Sequence, residues 1–370
     1  MTLSPQTAPE RQERDQWKIL GGLRFFLAFI VVCGHLSRFA PRDNAINRFL
    51  ISGAEFDAVA AVFCFLIISG FSIAHSITAK PQGFYFRRVV RIYPLYILAM
   101  VLTLVPFWFG GPVIQVLEGQ FIQPGIANFT ANLFFLQTFL VKQLSGNGPL
   151  WTLAVEVFFY LLAPVFVRMR SRILLLLILI SAVAFALYPA LNLHFYSKYR
   201  WGLPAFFLLW AWLGGFVFYR HREKPVFRMG LILLGIILFS ANSTWNQKFT
   251  FVTYIVAASI ITHAFWIKLP AQVLGFLNYL GELSYPLYLL HVPILLFSYA
   301  ILGIRSAALM VLLTLAVTAL VYHAIDRPIR LRMRSVNWLR RPQGAPIAAV
   351  NQVSRFVPWD EAGREETATG

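Results

Sequence analysis

The sequence predicts an all-α fold, a polytopic membrane helix bundle of about ten transmembrane helices with both termini in the cytoplasm. Three observations support this prediction. Of the 370 residues, 58% are hydrophobic and 13% charged, whereas a soluble domain is about 45–50% apolar and about 25% charged. Apolar runs recur that match the roughly 20 residues of a bilayer-spanning helix. The Lys and Arg residues cluster between alternate runs.

This composition also excludes several classes of protein. A soluble cytosolic enzyme does not need such long apolar runs, and 16% aromatic residues exclude a disordered chain. A net charge of +17 is typical of nucleic-acid binders, but the hydrophobicity favours a membrane protein whose charge reflects topology. We therefore expect membrane lipids as partners and no nucleic acid.

Ten apolar runs of the sequence are candidates for membrane spans. The first follows a basic flank, as a signal peptide does, but it has no A-x-A site and contains an arginine, which indicates a retained helix. The stretch 127–141 is short, so we interpret it as interfacial or re-entrant. The ten spans are expected at about 18–38, 55–77, 92–109, 150–167, 173–190, 201–219, 228–242, 249–267, 273–302 and 306–325.

Positive charge sets the expected orientation. With the N-terminus inside, most of the 32 Lys and Arg residues fall on the cytoplasmic side, as the positive-inside rule requires. The chain then divides into a cytoplasmic segment, 1–17, a membrane domain, 18–330, and a polar cytoplasmic tail, 331–370. We expect the tail to be partly disordered.

Two ionisable residues stand in the first span, Arg24 and His35. They are eleven residues apart, so on a helix they lie within about 20° of one face and about 16 Å apart along the axis. Charged groups in a span are costly and often functional. The alternatives are that Arg24 snorkels to the interface and that His35 makes a structural hydrogen bond between helices.

Glu156 lies in the outer half of the fourth span, near the expected depth of His35. A carboxylate in hydrocarbon needs a partner. We expect Glu156 to contact the His35 imidazole, as suits a general base. A purely structural hydrogen bond is the alternative.

Other residues point to a polar path. Arg88 and Arg91 are neighbours on a helix, where they suit a phosphate or anchor the chain to anionic lipid. Ser69 precedes a glycine that permits close helix approach. His291 stands mid-span between two prolines, typical of a helix that borders a cavity.

Taken together, these motifs resemble the membrane acyltransferase-3 family, bacterial integral membrane O-acyltransferases that modify carbohydrates. The resemblance covers about residues 18–330. Leu66 and Val157 stand where the family commonly has Phe and Glu, and Asp326 stands where Glu is commoner. The matching elements are Arg24 with His35, and the segments 65–71, 88–96, 151–156, 281–293 and 326–328.

The resemblance implies an acyl-CoA donor, most often acetyl-CoA, bound from the cytoplasm of a bacterial inner membrane. It implies a carbohydrate hydroxyl as acceptor, on a lipid-linked or nascent polysaccharide of O-antigen or exopolysaccharide type. No metal is expected. On this reading His35 and Glu156 are catalytic. Arg24, Arg88, Arg91 and Ser69 bind the donor, and Trp151, Tyr288 and His291 line the substrate path.

In this hypothesis the arginines hold the phosphates of CoA and the pantetheine arm runs along the first helix to His35. His35 removes the proton of the acceptor hydroxyl or briefly carries the acyl group, and Glu156 orients or charges the imidazole. Two other classes share the same features. One is an exporter of an anionic solute, and the other is a structural partner of a polysaccharide assembly.

Overall fold

A helix is present at each of the ten predicted positions. The computed structural model describes residues 8–191 and 201–335. The helices are α1 Ala8–Leu36, α2 Ala45–Ser52, α3 Ala58–Ala79, α4 Phe84–Gly110, α5 Ile126–Leu133, α6 Leu150–Arg168, α7 Ser171–Leu187, α8 Leu203–Arg220, α9 Pro225–Ala241, α10 Thr250–His263, α11 Ala271–Ala300, α12 Ala307–Val321 and α13 Arg327–Ser335.

Eight helical segments of the described chain are long and apolar enough to cross a membrane. The helices α9 and α10 are apolar but shorter, at 17 and 14 residues. The predicted polytopic helix bundle is therefore confirmed, while its orientation stays a prediction. The predicted polar tail, 331–370, falls almost wholly outside the described residues.

The segment between α4 and α6 contains a small hairpin that the sequence analysis did not predict. Strand β1, Val113–Gln115, pairs antiparallel with β2, Gln120–Ile122. Phe121 stacks on Phe39, just beyond the end of α1. The following helix α5 has eight residues, too few to span a bilayer.

Two pairs of helices approach each other through glycines. A Cβ added at Gly70 of α3 would lie 1.9 Å from the Trp212 carbonyl oxygen of α8. One added at Gly215 of α8 would lie 2.0 Å from the Ile67 carbonyl oxygen of α3. Glycines at a crossing let two backbones touch, which is a common way for membrane helices to associate. Gly21 of α1 and Gly281 of α11 make a similar contact.

A proline in α11 is compensated by a loop. Pro293 has no N–H for the carbonyl of Leu289, one turn earlier. The buried Asn147 side chain donates to that carbonyl instead, at 2.9 Å. The loop before α6 is thus tied to the middle of α11, close to His291.

The glycine contact between α3 and α8 generates the first prediction. The variant Gly70→Ala should lose about 1–3 kcal/mol of stability or more, because backbone atoms cannot move aside for the added methyl group. A thermal unfolding scan of the purified protein in detergent measures this. Gly275→Ala on α11 is the matched control, because a Cβ there meets nothing within 4 Å. Equal melting temperatures for the two variants would contradict the prediction.

Candidate functional site

A cavity of about 380 Å³ opens among α1, α3, α4, α6 and α11. Its mouth lies where α3 ends and α4 begins, at the exposed residues Lys80 and Arg91. Six of the nine residues predicted for the site line this one cavity. They are Arg24, Ser69, Arg88, Arg91, Glu156 and Tyr288.

The lining of the cavity changes from polar to apolar along α3. Ser76, Ser72 and Ser69 follow one another inward from the mouth at helical spacing. Phe65 and Val62 continue the same face at the inner end. A ligand with a polar end and an apolar end would therefore be held with its polar end at the mouth.

The arginines that line the cavity have N–H groups available to a ligand. Arg88 donates from one terminal nitrogen to the Ser76 hydroxyl at 2.7 Å. The Nε atoms of Arg24 and Arg88 are buried without a hydrogen-bond partner among the described residues. Buried polar atoms are nearly always satisfied. The cavity is therefore prepared for a polar, anionic ligand.

Glu156 is held by hydroxyl groups. Ser69 donates to its carboxylate at 2.5 Å, and Tyr160, one turn further along α6, also donates to it. The indole of the buried Trp212 donates in turn to the Ser69 oxygen at 3.3 Å. This network joins α6, α3 and α8 around a single carboxylate.

The predicted contact between Glu156 and His35 is wrong. His35 instead stacks on His291, with ring centroids 5.3 Å apart and planes at 27°. In the described residues no ion pair joins His35 to a carboxylate. Helix rotation explains the difference, because Glu156 faces the serine side of α3, whereas His35 faces α11. The assignment of both residues to catalysis stays a prediction.

The tautomer of His291 follows from its neighbours. Its Nδ1 lies 2.8 Å from the Tyr288 carbonyl oxygen and 3.2 Å from that of Leu287. Both are acceptors, so Nδ1 carries a proton and donates it. The Nε2 atom then has a free lone pair, and it is buried with no partner in the part of the chain described.

Tyr288 separates the cavity from the two histidines. Its ring lies 6.0 Å from that of His291 and 5.6 Å from that of Phe65. Its hydroxyl is held by Thr152 at 2.6 Å and by the Pro149 carbonyl at 3.1 Å. Trp151, the remaining predicted residue, is buried beside Thr152. Neither it nor the two histidines is among the described residues that line the cavity.

The sequence analysis missed several residues of the site. Tyr160 stands four residues after Glu156, so helical spacing could have identified it. His75 also lines the cavity, together with Trp17. Trp212 has no signal in the sequence, because its contact with Ser69 depends on how α8 crosses α3.

The chain is similar to known acyltransferases. The model of the acyltransferase-3 family, described as an acyltransferase domain, matches residues 17–324. The chain is 30% identical to the acyltransferase MdmB of Streptomyces mycarofaciens over 164 residues, which are 42% of this chain and 40% of that protein. It thus matches less than half the length of that relative.

A second relative is matched over most of its length. The chain is 30% identical to protein 2 in the picA locus of Rhizobium radiobacter over 169 residues, 41% of this chain and 80% of that protein. No solved structure matches the chain.

The carboxylate network generates the second prediction. Tyr160→Phe should lower the unfolding free energy by about 1–3 kcal/mol, because a partly buried carboxylate inside the helix bundle loses one of its donors. Thermal unfolding in detergent measures the loss. Tyr85→Phe is the control, since it removes an exposed hydroxyl that donates to the Leu161 carbonyl, and we expect a change of at most about 0.5 kcal/mol. A Tyr160→Phe protein as stable as the control would refute the role of this network.

Proposed function

Because the chain belongs to the acyltransferase-3 family, we propose that it transfers an acyl group from acyl-CoA, above all acetyl-CoA, to a carbohydrate hydroxyl. The protein is a multi-pass membrane acyltransferase. The donor, the acceptor and the bacterial inner membrane are parts of the proposal. The observation that carries it is a cavity with arginines at one end and a histidine pair just beyond the other.

Two features of the cavity support acyl-CoA as the acyl donor, namely its positive charge and the buried N–H groups of its arginines. Arg24, Arg88 and Arg91 face one cavity in which Glu156 is the only lining carboxylate among the described residues. The planar fork of arginine binds phosphate through charge-assisted hydrogen bonds. We therefore assign the phosphates of CoA to these side chains, toward the Ser76 end of the polar stripe, where Arg88 donates to Ser76. We assign the mouth to the cytoplasm, where positive charge accumulates.

In this proposal His35 carries out the chemistry. A bond forms between the acceptor oxygen and the acyl carbon, the carbon–sulfur bond breaks, and CoA leaves as a thiolate. Either His35 removes the proton of the hydroxyl, which then passes to the thiolate, or the imidazole nitrogen first takes the acyl group as the carbon–sulfur bond breaks. In the second route the acceptor oxygen then displaces the imidazole from the acyl carbon, and the hydroxyl proton passes to the thiolate. Both routes require the thioester to pass Tyr288, which separates the cavity from the histidines.

The proposed role of Glu156 changes with its position. One oxygen of Glu156, Oε1, accepts from both Ser69 and Tyr160, and we propose that Glu156 does not orient the His35 ring directly. We propose that it balances the charge of Arg24 and Arg88 within the cavity and holds the Ser69 hydroxyl in place. The histidine is oriented by the ring of His291 instead, and Trp151 supports Thr152 and Tyr288 at the substrate path.

For the acceptor we propose a hydroxyl of a lipid-linked or nascent polysaccharide of O-antigen or exopolysaccharide type. The family resemblance supports a carbohydrate. The location of His35 near the end of α1, beside the hairpin, supports access from the face opposite the mouth.

The third prediction tests His35. His35→Ala should lower acyl transfer at least about 100-fold, because a general base commonly contributes 10²–10⁴-fold. The measurement uses labelled acetyl-CoA added to membranes of the source bacterium, with mass analysis of ester-linked label on its surface glycan. His263→Ala, which changes an exposed histidine at the end of α10, is the control. Label that moves across the membrane without a covalent product would favour the exporter instead.

The fourth prediction tests the arginines. Arg88→Ala should weaken CoA binding about 10- to 100-fold, as expected for loss of a charge-assisted hydrogen bond. Calorimetry on the purified protein measures the affinity. Arg87→Ala is the matched control, because Arg87 bonds to the Lys80 and Gln82 carbonyls and does not line the cavity. Unchanged affinity in Arg88→Ala would make Arg88 a lipid anchor.

A further inference from the structure

Two aromatic side chains line the mouth of the cavity without a role in the proposed chemistry. Trp17 of α1 and His75 of α3 contact each other, with ring centroids 5.0 Å apart. Trp17 packs on Phe71 behind it, at 5.6 Å. Both rings are only partly buried. We call Trp17 and His75 the mouth platform.

The His75 ring is held in place from two sides. Its Nδ1 atom lies 3.3 Å from the Tyr219 hydroxyl and 3.4 Å from a carboxylate oxygen of Glu13. The packing of Trp17 on Phe71 holds the other ring. The planes of the two rings are tilted by 54°, so they form an angled aromatic corner. Rings that are already fixed have little conformational entropy to lose when a planar ligand binds between them.

The mouth platform lies in line with the reacting groups. Trp17, Arg24 and His35 are separated by seven and eleven residues of one helix. At about 100° per residue, all three project within about 20° of one another. Along the axis, Arg24 lies about 10 Å from Trp17, and His35 lies about 16 Å further on. Helix α1 therefore presents an aromatic ring, a cation and an imidazole in that order.

Unsatisfied polar atoms surround the same end of the cavity. The Ser72 hydroxyl is buried and has no partner within the described ranges, like the Nε atoms of Arg24 and Arg88. The exposed Lys80 adds another cation at the mouth. A purely apolar ligand, such as a lipid chain, would leave these groups unpaired. A planar ring that carries phosphates would satisfy them.

We propose that the mouth platform binds the nucleobase of the donor. The adenine ring stacks on Trp17 and meets the tilted His75 ring at its edge, and the phosphates attached to its ribose lie among Lys80, Arg88 and Arg91. The remaining arm follows α1 inward past Arg24 toward His35. This inference rests on the proposed function, because it takes a nucleotide thioester as the donor, and it adds the residues that select the nucleotide part.

The experiment compares three probes on the full chain in detergent. They are CoA, adenosine 3′,5′-bisphosphate, which has the base but no arm, and 4′-phosphopantetheine, which has the arm but no base. Trp17→Ala should weaken the first two about 5- to 150-fold, the range expected for loss of one aromatic–base stack. Binding of 4′-phosphopantetheine should not change. His75→Ala should shift the same two affinities in the same direction.

Two further variants keep the result interpretable. Trp17→Phe preserves a ring against Phe71 and should bind CoA with intermediate affinity, even if Trp17→Ala folds poorly. Trp108→Ala changes a tryptophan that is 84% exposed and lies outside the cavity, so it should bind like the unchanged protein. Melting temperatures of all variants identify any that fail to fold.

Different failures have different meanings. Suppose that CoA binds the unchanged protein and that both Trp17 variants bind CoA with the same affinity. The mouth platform then does not bind the base, while the proposed function stands. An equal loss of affinity for 4′-phosphopantetheine would also overturn the inference, since the Trp17 substitution would then disturb the whole mouth and not the binding of the base. If the unchanged protein binds none of the probes, the acyl-CoA donor itself is wrong, and the inference fails with it.

Discussion

A carboxylate inside an apolar helix bundle must be given hydrogen-bond donors, and Glu156 imposes this constraint on its surroundings. Ser69 and Tyr160 both donate to its Oε1 atom, and Trp212 donates to Ser69. The three donors come from α3, α6 and α8, so satisfying one charge fixes how three helices are rotated about their axes. The same carboxylate faces the cavity that contains Arg24. The charge balance of the cavity and the packing of the bundle therefore depend on each other.

Close backbone packing makes that network possible. Gly70 follows Ser69 directly and contacts the Trp212 carbonyl, so α8 approaches α3 closely enough for the indole to reach the serine. A larger residue at this position would separate the helices and break the hydrogen bond from Trp212 to the Ser69 hydroxyl. The pair Ser69–Gly70 thus combines a polar contact with a steric requirement.

The site consists of two compartments on either side of Tyr288. One is the cavity, with its cations and serines. The other is the pair of stacked imidazoles, His35 and His291, whose orientation follows from the backbone carbonyls that accept from His291. In the proposed function, this division separates binding of a charged, water-soluble group from the chemistry beyond it. It also keeps the imidazoles away from the arginines of the cavity, whose positive charge would oppose protonation of a base.

The sequence by itself determined the membrane bundle, its long apolar helices and six of the residues that line the cavity, because hydropathy, helical spacing and intramembrane charge act locally along the chain. It did not determine which polar groups meet. Glu156 was expected beside His35 because the two were placed at similar depth, but depth along a helix says nothing about rotation around it. Rotation depends on which small residues touch across a helix crossing, as Gly70 does with α8. Only the tertiary structure could therefore pair Glu156 with Ser69 and Tyr160, and His35 with His291.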